Sequence, residues 1–219
     1  MKTINKIALL GFILLLKHSA EAQGFVNLNF ESANVSGLSS GSVPAANAFP
    51  GWTAYIGGVQ QSSVIYNTIP LDDAAVTLQG LNSDALTPIQ GNYTAWLFGS
   101  SSFASQQQSA GLGQTGQIPI NAESLIFWGY AGLTDVSFAG QTLSLVVIGT
   151  TANYDVYGAN ITGYAGETGQ LLFTAQPGFN DVIDNIQFST LAVPEPNALG
   201  LSALGGLFLA WRRCKWSKS

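Results

Sequence analysis

The sequence predicts an all-β fold, an antiparallel β-sandwich of the jelly-roll type, flanked by an N-terminal signal peptide and a C-terminal transmembrane helix. Three observations predict it. Short runs rich in β-branched and aromatic residues recur through the middle of the chain, separated by Gly, Asn, Asp and Ser. No segment there shows a helical period with caps. Every Lys and Arg of the 219 residues lies near one end or the other, which marks the ends as different in kind from the middle.

The first segment reads MKTINKIALLGFILLLKHSAEA. Lys2 and Lys6 form a basic start, and Ile7 to Leu16 is an apolar run too short for an ordinary membrane span. Ala20 and Ala22 supply small residues at the positions a signal peptidase reads. Cleavage is expected after Ala22, leaving Gln23 as the mature N-terminus, so residues 1–22 are assigned as a signal peptide.

Residues 23–191 are assigned as one β-sandwich domain, long enough to bury a substantial core. Alternation is visible at Val26, Leu28 and Phe30, at Trp52, Ala54 and Ile56, and at Ala74, Val76 and Leu78. Asn92 to Phe98, Leu125 to Tyr130 and Leu143 to Ile148 are apolar on both parities, as buried strands are. Asn153 to Tyr157, Leu171 to Thr174 and Asn185 to Phe188 complete the set. Many short strands with Gly-rich turns favour two packed antiparallel sheets.

Charge then excludes whole classes of function. Between Gln23 and Val193 there is no Lys, Arg, His or Cys; the charged residues are acids, among them Glu31, Asp72, Asp73, Asp181 and Asp184. An acid-only domain repels nucleic-acid phosphates, so nucleic acid is not a partner. Without His or Cys there is no Ser–His–Asp arrangement, Cys–His pair or His/Cys zinc site. Without Lys there is no Schiff base, and without Arg no guanidinium clamp for phosphate. Two chemistries remain: carboxylate acid–base work, with Asp72-Asp73 and Asp181 to Asp184 as nearest candidates, and oxygen-only cation binding. Adjacent Asp72 and Asp73 would point to opposite sides of a strand, and after Pro70 they read better as turn residues. Trp52, Tyr55, Tyr93, Trp96, Trp128, Tyr130, Tyr154 and Tyr157 could stack on sugar rings. Trp96 and Trp128 read as buried, and Trp52, following Pro50-Gly51, as the best candidate for exposure.

The last segment, residues 192–219, has three parts in order. Pro194-Glu195-Pro196 cannot be helix interior. Ala198 to Trp211 is an uncharged apolar run, somewhat shorter than the usual ~20-residue span, and Arg212, Arg213 and Lys215 follow at once. The basic cluster stays cytoplasmic, which leaves the main domain outside. Cys214, the one cysteine, falls on the cytoplasmic side and reads as incidental.

This tail resembles the PEP-CTERM sorting signal of bacterial surface proteins, on Pro194-Glu195-Pro196, the Gly- and Leu-rich run, Trp211 and Arg212-Arg213. The resemblance implies processing by an exosortase, a membrane protease-transpeptidase that cuts near the PEP motif, in a host that makes exopolysaccharide. Export through the Sec translocon, cleavage by signal peptidase and a transient stay in the inner membrane follow from the same reading. The middle resembles secreted jelly rolls that accompany this signal and carbohydrate-binding modules of similar fold. It does so on Asn29-Phe30-Glu31, Tyr157 to Ile161, Ala165 to Thr168, Leu171 to Thr174 and Asp184 to Phe188. That resemblance implies glycan association, with first and last strands together sharing a structural Ca²⁺ through Glu31 and Asp184; the alternative is that both are solvated or turn-capping carboxylates. The expectation is a non-catalytic exported protein of the cell surface or extracellular matrix, structural or adhesive and glycan-associating. The alternatives are a secreted, carboxylate-dependent glycoside-active enzyme and a matrix protein without ligand.

Overall fold

A computed structural model describes residues 23–193, except residues 84, 102–105 and 131–133. Fourteen strands occur among them. In chain order they are β1 (Gly41–Pro44), β2 (Thr53–Ile56), β3 (Val59–Gln61), β4 (Ser63–Tyr66), β5 (Ala75–Gly80), β6 (Tyr93–Phe98) and β7 (Ala110–Gln117). There follow β8 (Ser124–Tyr130), β9 (Thr134–Phe138), β10 (Gln141–Thr142), β11 (Leu145–Thr150), β12 (Asp155–Asn160), β13 (Thr168–Ala175) and β14 (Asn180–Ser189). One helical turn, α1 (Ala45–Ala48), follows β1, and a 3₁₀ turn spans Thr162–Tyr164.

The strands form two sheets. One runs β1-β4-β5-β6-β14-β8-β12-β11, the other β10-β9-β13-β7-β2-β3. Neighbours pair antiparallel except β4 and β5, which pair parallel. The chain crosses repeatedly between the sheets, as from β6 through β7 and β8 to β9 and from β12 through β13 to β14, in a jelly-roll-like sandwich. The strands expected from apolar runs are present, and several others join them.

Alternation along each strand decides what fills the space between the sheets. Leu125 and Phe127 of β8, Ala95 and Leu97 of β6, Leu112 of β7, and Leu171 and Phe173 of β13 are all buried and belong to one cluster. Rings link the layers. Phe173 meets Phe127 edge-on at 5.2 Å and Trp52 at 6.3 Å; Trp52 lies 5.7 Å from Phe30, and Phe30 5.7 Å from Phe49. Each fully buried ring contributes roughly 1.5–3 kcal/mol, before the entropy of ordering it. Trp96 and Val182 are buried too, but on the other face of the larger sheet, since their neighbours Ala95 and Ile183 face inward.

One expected strand is absent. Residues 25–32 alternate in hydropathy yet form turns, because Asn27 and Phe30 adopt left-handed backbone (φ 50° and 60°). The Asn27 side-chain oxygen accepts the Ser32 N–H at 2.9 Å, closing the turn. The segment still packs beside the last strand: the Ile186 N–H donates to the Leu28 carbonyl at 2.9 Å, and Phe25 and Phe188 are in ring contact at 5.2 Å.

At the other end, Val193 is buried against Gly158, and the Ser124 hydroxyl donates to the Leu191 carbonyl at 2.7 Å. No helix among the described residues is long and apolar enough to cross a membrane.

Candidate metal and ligand site

Glu31 and Asp184 come together on one turn, residues 90–93. The backbone N–H groups of Asn92 and Tyr93 donate to Glu31 Oε1 at 2.8 and 3.0 Å, and Asn92 Nδ2 donates to Oε2 at 2.8 Å. From the other side, the Gln90 N–H donates to Asp184 Oδ2 at 3.0 Å, and the Asn185 N–H to Oδ1 at 2.7 Å. Gly91 has φ +64°, and a Cβ there would be strained and would displace the Glu31 carboxylate.

The backbone is strained beside both carboxylates. Phe30 precedes Glu31 with φ 60°, and Asn185 follows Asp184 with φ 46°. In β14 the register against β8 slips between Asp184 and Gln187, a bulge that turns Asp184 toward the 90–93 turn. Left-handed non-glycine residues persist only where their surroundings hold them, and they cluster at functional positions.

Asp184 has no exposed surface, and its carboxyl is pushed up to about 7. Burial is the main cause; hydrogen bonds from Asn185, Gln90 and the Thr94 hydroxyl pull the other way, and the charge of Glu31 adds to the rise. Gln90 Oε1 is buried in the same turn without a hydrogen-bond partner. Two carboxylates, one of them ionised only against the cost of burial, and an orphaned amide oxygen are the oxygen donors a hard cation such as Ca²⁺ takes. Six to eight oxygens are usual for that ion, so backbone carbonyls would supply the rest. Among the described residues no group of three or more His, Cys, Asp or Glu is placed to hold a metal ion.

The other carboxylate candidates do not converge. Asp181 shares parity with inward-facing Ile183, whereas Asp184 pairs with Trp128 on the outer face. Asp72 and Asp73 are exposed on the loop before β5, lining a cleft of about 380 Å³ together with Ile69, Leu71 and Val76.

The outer face of the larger sheet carries aromatic residues. Trp128 stacks on Tyr154 at 4.8 Å, Trp96 meets Phe98 edge-on at 5.9 Å, and burial raises the Tyr130 hydroxyl above its ordinary range. Trp96 Nε1 and Thr77 Oγ1, cross-strand neighbours on β6 and β5, are buried without partners. Trp128 is partly rather than fully buried, with Tyr154 stacked on its ring. Trp52 reverses the expectation made for it: it is 6% exposed, and its indole N–H donates to the Asn27 carbonyl at 3.0 Å. The Pro50-Gly51 turn swings it inward, against Phe30.

The Gln90–Tyr93 turn escaped the sequence reading. Its contribution is made by backbone N–H groups; Gly91 ahead of β6 is the one signal that could have found it. Of the targeting residues, Gln23 is described, and its carbonyl accepts the Gln117 N–H at 3.0 Å. Ala20, Ala22, Pro194, Glu195, Pro196, Arg212 and Arg213, and with them the transmembrane helix, lie outside the described residues.

The β-sandwich is followed at once in the sequence by Pro-Glu-Pro, an uncharged apolar run and a basic end. Residues 192–213 match the PEP-CTERM protein-sorting motif. Comparison with curated proteins finds no match. Among solved structures, the chain is similar to TmCBM61 in complex with β-1,4-galactotriose, at 15% identity and TM-score 0.39, over 76% of this chain and 98% of that one. It is also similar to the enzymatically active domain of bacteriophage CBA120 tailspike protein 4, at 15% identity and TM-score 0.36, over 64% of this chain and 19% of that one. Likeness at this level carries no inference about activity or ligand.

Proposed function

We propose that this protein is a non-catalytic module of the cell surface or exopolysaccharide matrix. It is exported through the Sec translocon and released from its leader after Ala22. The apolar segment after Ala198 holds it in the inner membrane with the sandwich on the periplasmic side. An exosortase then acts at Pro194-Glu195-Pro196 and passes the domain outward. The observation that carries this reading is the sorting motif at residues 192–213. The segregation of charge supports it, since Arg212, Arg213 and Lys215 hold the cytoplasmic side.

Within that reading the sandwich is structural and adhesive, and associates with glycan. Its support is a surface built from hydroxyl and amide side chains with no cation between Gln23 and Val193, and sheet faces that present Tyr and Trp. Glu31 and Asp184 hold a structural Ca²⁺ that fastens the 90–93 turn to both ends of the domain; the orphaned Gln90 Oε1 supports this. Mass spectrometry of surface-released protein tests the sorting. The expected mature C-terminus lies near the PEP motif. Recovery of an intact Trp216-Ser217-Lys218-Ser219 end, or unchanged release after deletion of the host's exosortase, would count against it.

A further inference from the structure

The outer face of the smaller sheet departs from an ordinary solvated sheet along β7. Ala110, Leu112 and Gln114 of this strand are buried, Ala110 and Leu112 within the central cluster; the alternate positions, Gly111 and Gly113, face outward. Two successive outward glycines in an interior strand weaken it and add no side chain to that face; both are buried beneath side chains of the flanking strands. Gly111 lies at the floor of a groove of about 310 Å³, walled by Tyr55, Gly58 and Ser109 on one side and by Gln170, Leu172 and Thr174 on the other.

Gly111 lines the groove, and Gly113 lies beneath its wall side chains. A Cβ at Gly113 would stand 3.1 Å from Gln170 Nε2, 3.2 Å from Leu172 Cδ1 and 3.3 Å from Tyr55 Cε2, touching both walls. A Cβ at Gly111 would stand 3.3 Å from the Phe173 carbonyl oxygen. The walls are fixed in turn: Gln170 Nε2 donates to the Tyr55 hydroxyl at 2.9 Å, which holds the ring and leaves the phenol hydrogen to donate onward. Asp135, in register with Thr174, has its carboxylate engaged by Gln176 Nε2 at 2.8 Å.

We propose that this groove binds a neutral polysaccharide chain. The proposal rests on the glycan-associating reading above and assigns it a place. The lining offers one aromatic ring, one aliphatic side chain, hydroxyls and an amide, and no charged side chain. A pyranose chain is complementary: apolar C–H faces for Tyr55 and Leu172, hydroxyls for Gln170, Thr174 and Ser109. An anionic polymer is not complementary, because the domain is acidic and offers no cation.

The test is affinity electrophoresis of the full chain in mild detergent, in gels containing galactan, mannan or mixed-linkage β-glucan, with polygalacturonate as the acidic probe. Wild type is expected to be retarded by at least one neutral polymer. Gly113→Val, Tyr55→Ala and Gln170→Ala each raise the dissociation constant at least about tenfold, while Val147→Ser, on the exposed edge of β11, leaves it unchanged. Should Gly113→Val fail to fold, Gln170→Ala, which removes no core atom, decides. Retention of binding by all folded groove variants would overturn the groove and leave the glycan reading intact. Wild type unretarded by every neutral polymer would overturn both. Retardation by polygalacturonate alone would overturn the groove on charge grounds.

Discussion

Glu31 and Asp184 grip one turn from its two ends: Glu31 accepts the N–H groups of Asn92 and Tyr93, and Asp184 accepts that of Gln90. The first segment and the last strand of the domain are thereby joined through its middle.

Calcium should strengthen that junction. At a free concentration about a hundredfold above its dissociation constant, the ion would add ~2.7 kcal/mol, a rise in melting temperature of roughly 5–10 °C for a domain of this size. Differential scanning fluorimetry with and without EDTA measures it. Glu31→Gln and Asp184→Asn should each abolish the rise. An unmoved melting temperature in wild type would dispose of the metal.

In EDTA, stability should fall as pH rises. The Asp184 carboxyl titrates near 7 in the folded chain, by burial, and near 4 when unfolded. The folded state therefore binds the extra proton between those values. Its stabilising effect is complete below about pH 4 and is lost as pH rises through 7. Denaturant melts from pH 5 to pH 8 should show the loss in wild type and a flatter profile in Asp184→Asn. Added calcium, which favours the ionised carboxylate, should flatten the wild-type profile too.

Trp52→Ala should cost about 3–5 kcal/mol, because it empties a core position between Phe30 and Phe173. Trp52→Phe should cost less, losing mainly volume and the bond to the Asn27 carbonyl. Urea unfolding distinguishes the two. If Trp52 instead faced solvent, both changes would fall within about 0.5 kcal/mol.

Gly99→Ala should prevent stable folding. A Cβ there collides with the Gln176 carbonyl oxygen, while the Gly99 N–H is held by Phe179 O at 2.9 Å. Neither backbone can retreat without breaking the start of β14. Loss of the far-ultraviolet β signal checks this; a folded variant with near-native melting temperature would refute it.

What could be read from the sequence followed side-chain chemistry. Leu125 to Tyr130 and Asn92 to Phe98 proclaim buried strands, and Pro194-Glu195-Pro196 with Arg212-Arg213 marks the sorting tail. What could not be read is carried by backbone. Ala110–Gln117 is not among the expected strands, because Gly111, Gly113 and Gly116 are turn residues by habit, yet here they lie in an interior strand. Phe30 alternates like a strand residue but sits in a left-handed turn. Glu31 and Asp184 were visible as a pair; the amide groups that occupy them belong to an uncharged turn, which composition does not distinguish from any other.

Val193 is seated against Gly158, and Pro194 follows it by a single peptide bond. Five residues of extended chain reach at most ~18 Å, so the sandwich can stand no farther than that from Ala198, where the apolar run begins. On the proposed sorting route, the processing enzyme works within that ~18 Å. Lengthening that short standoff with inserted serines, or prying up Leu191 and Val193, would change how much clearance the enzyme has.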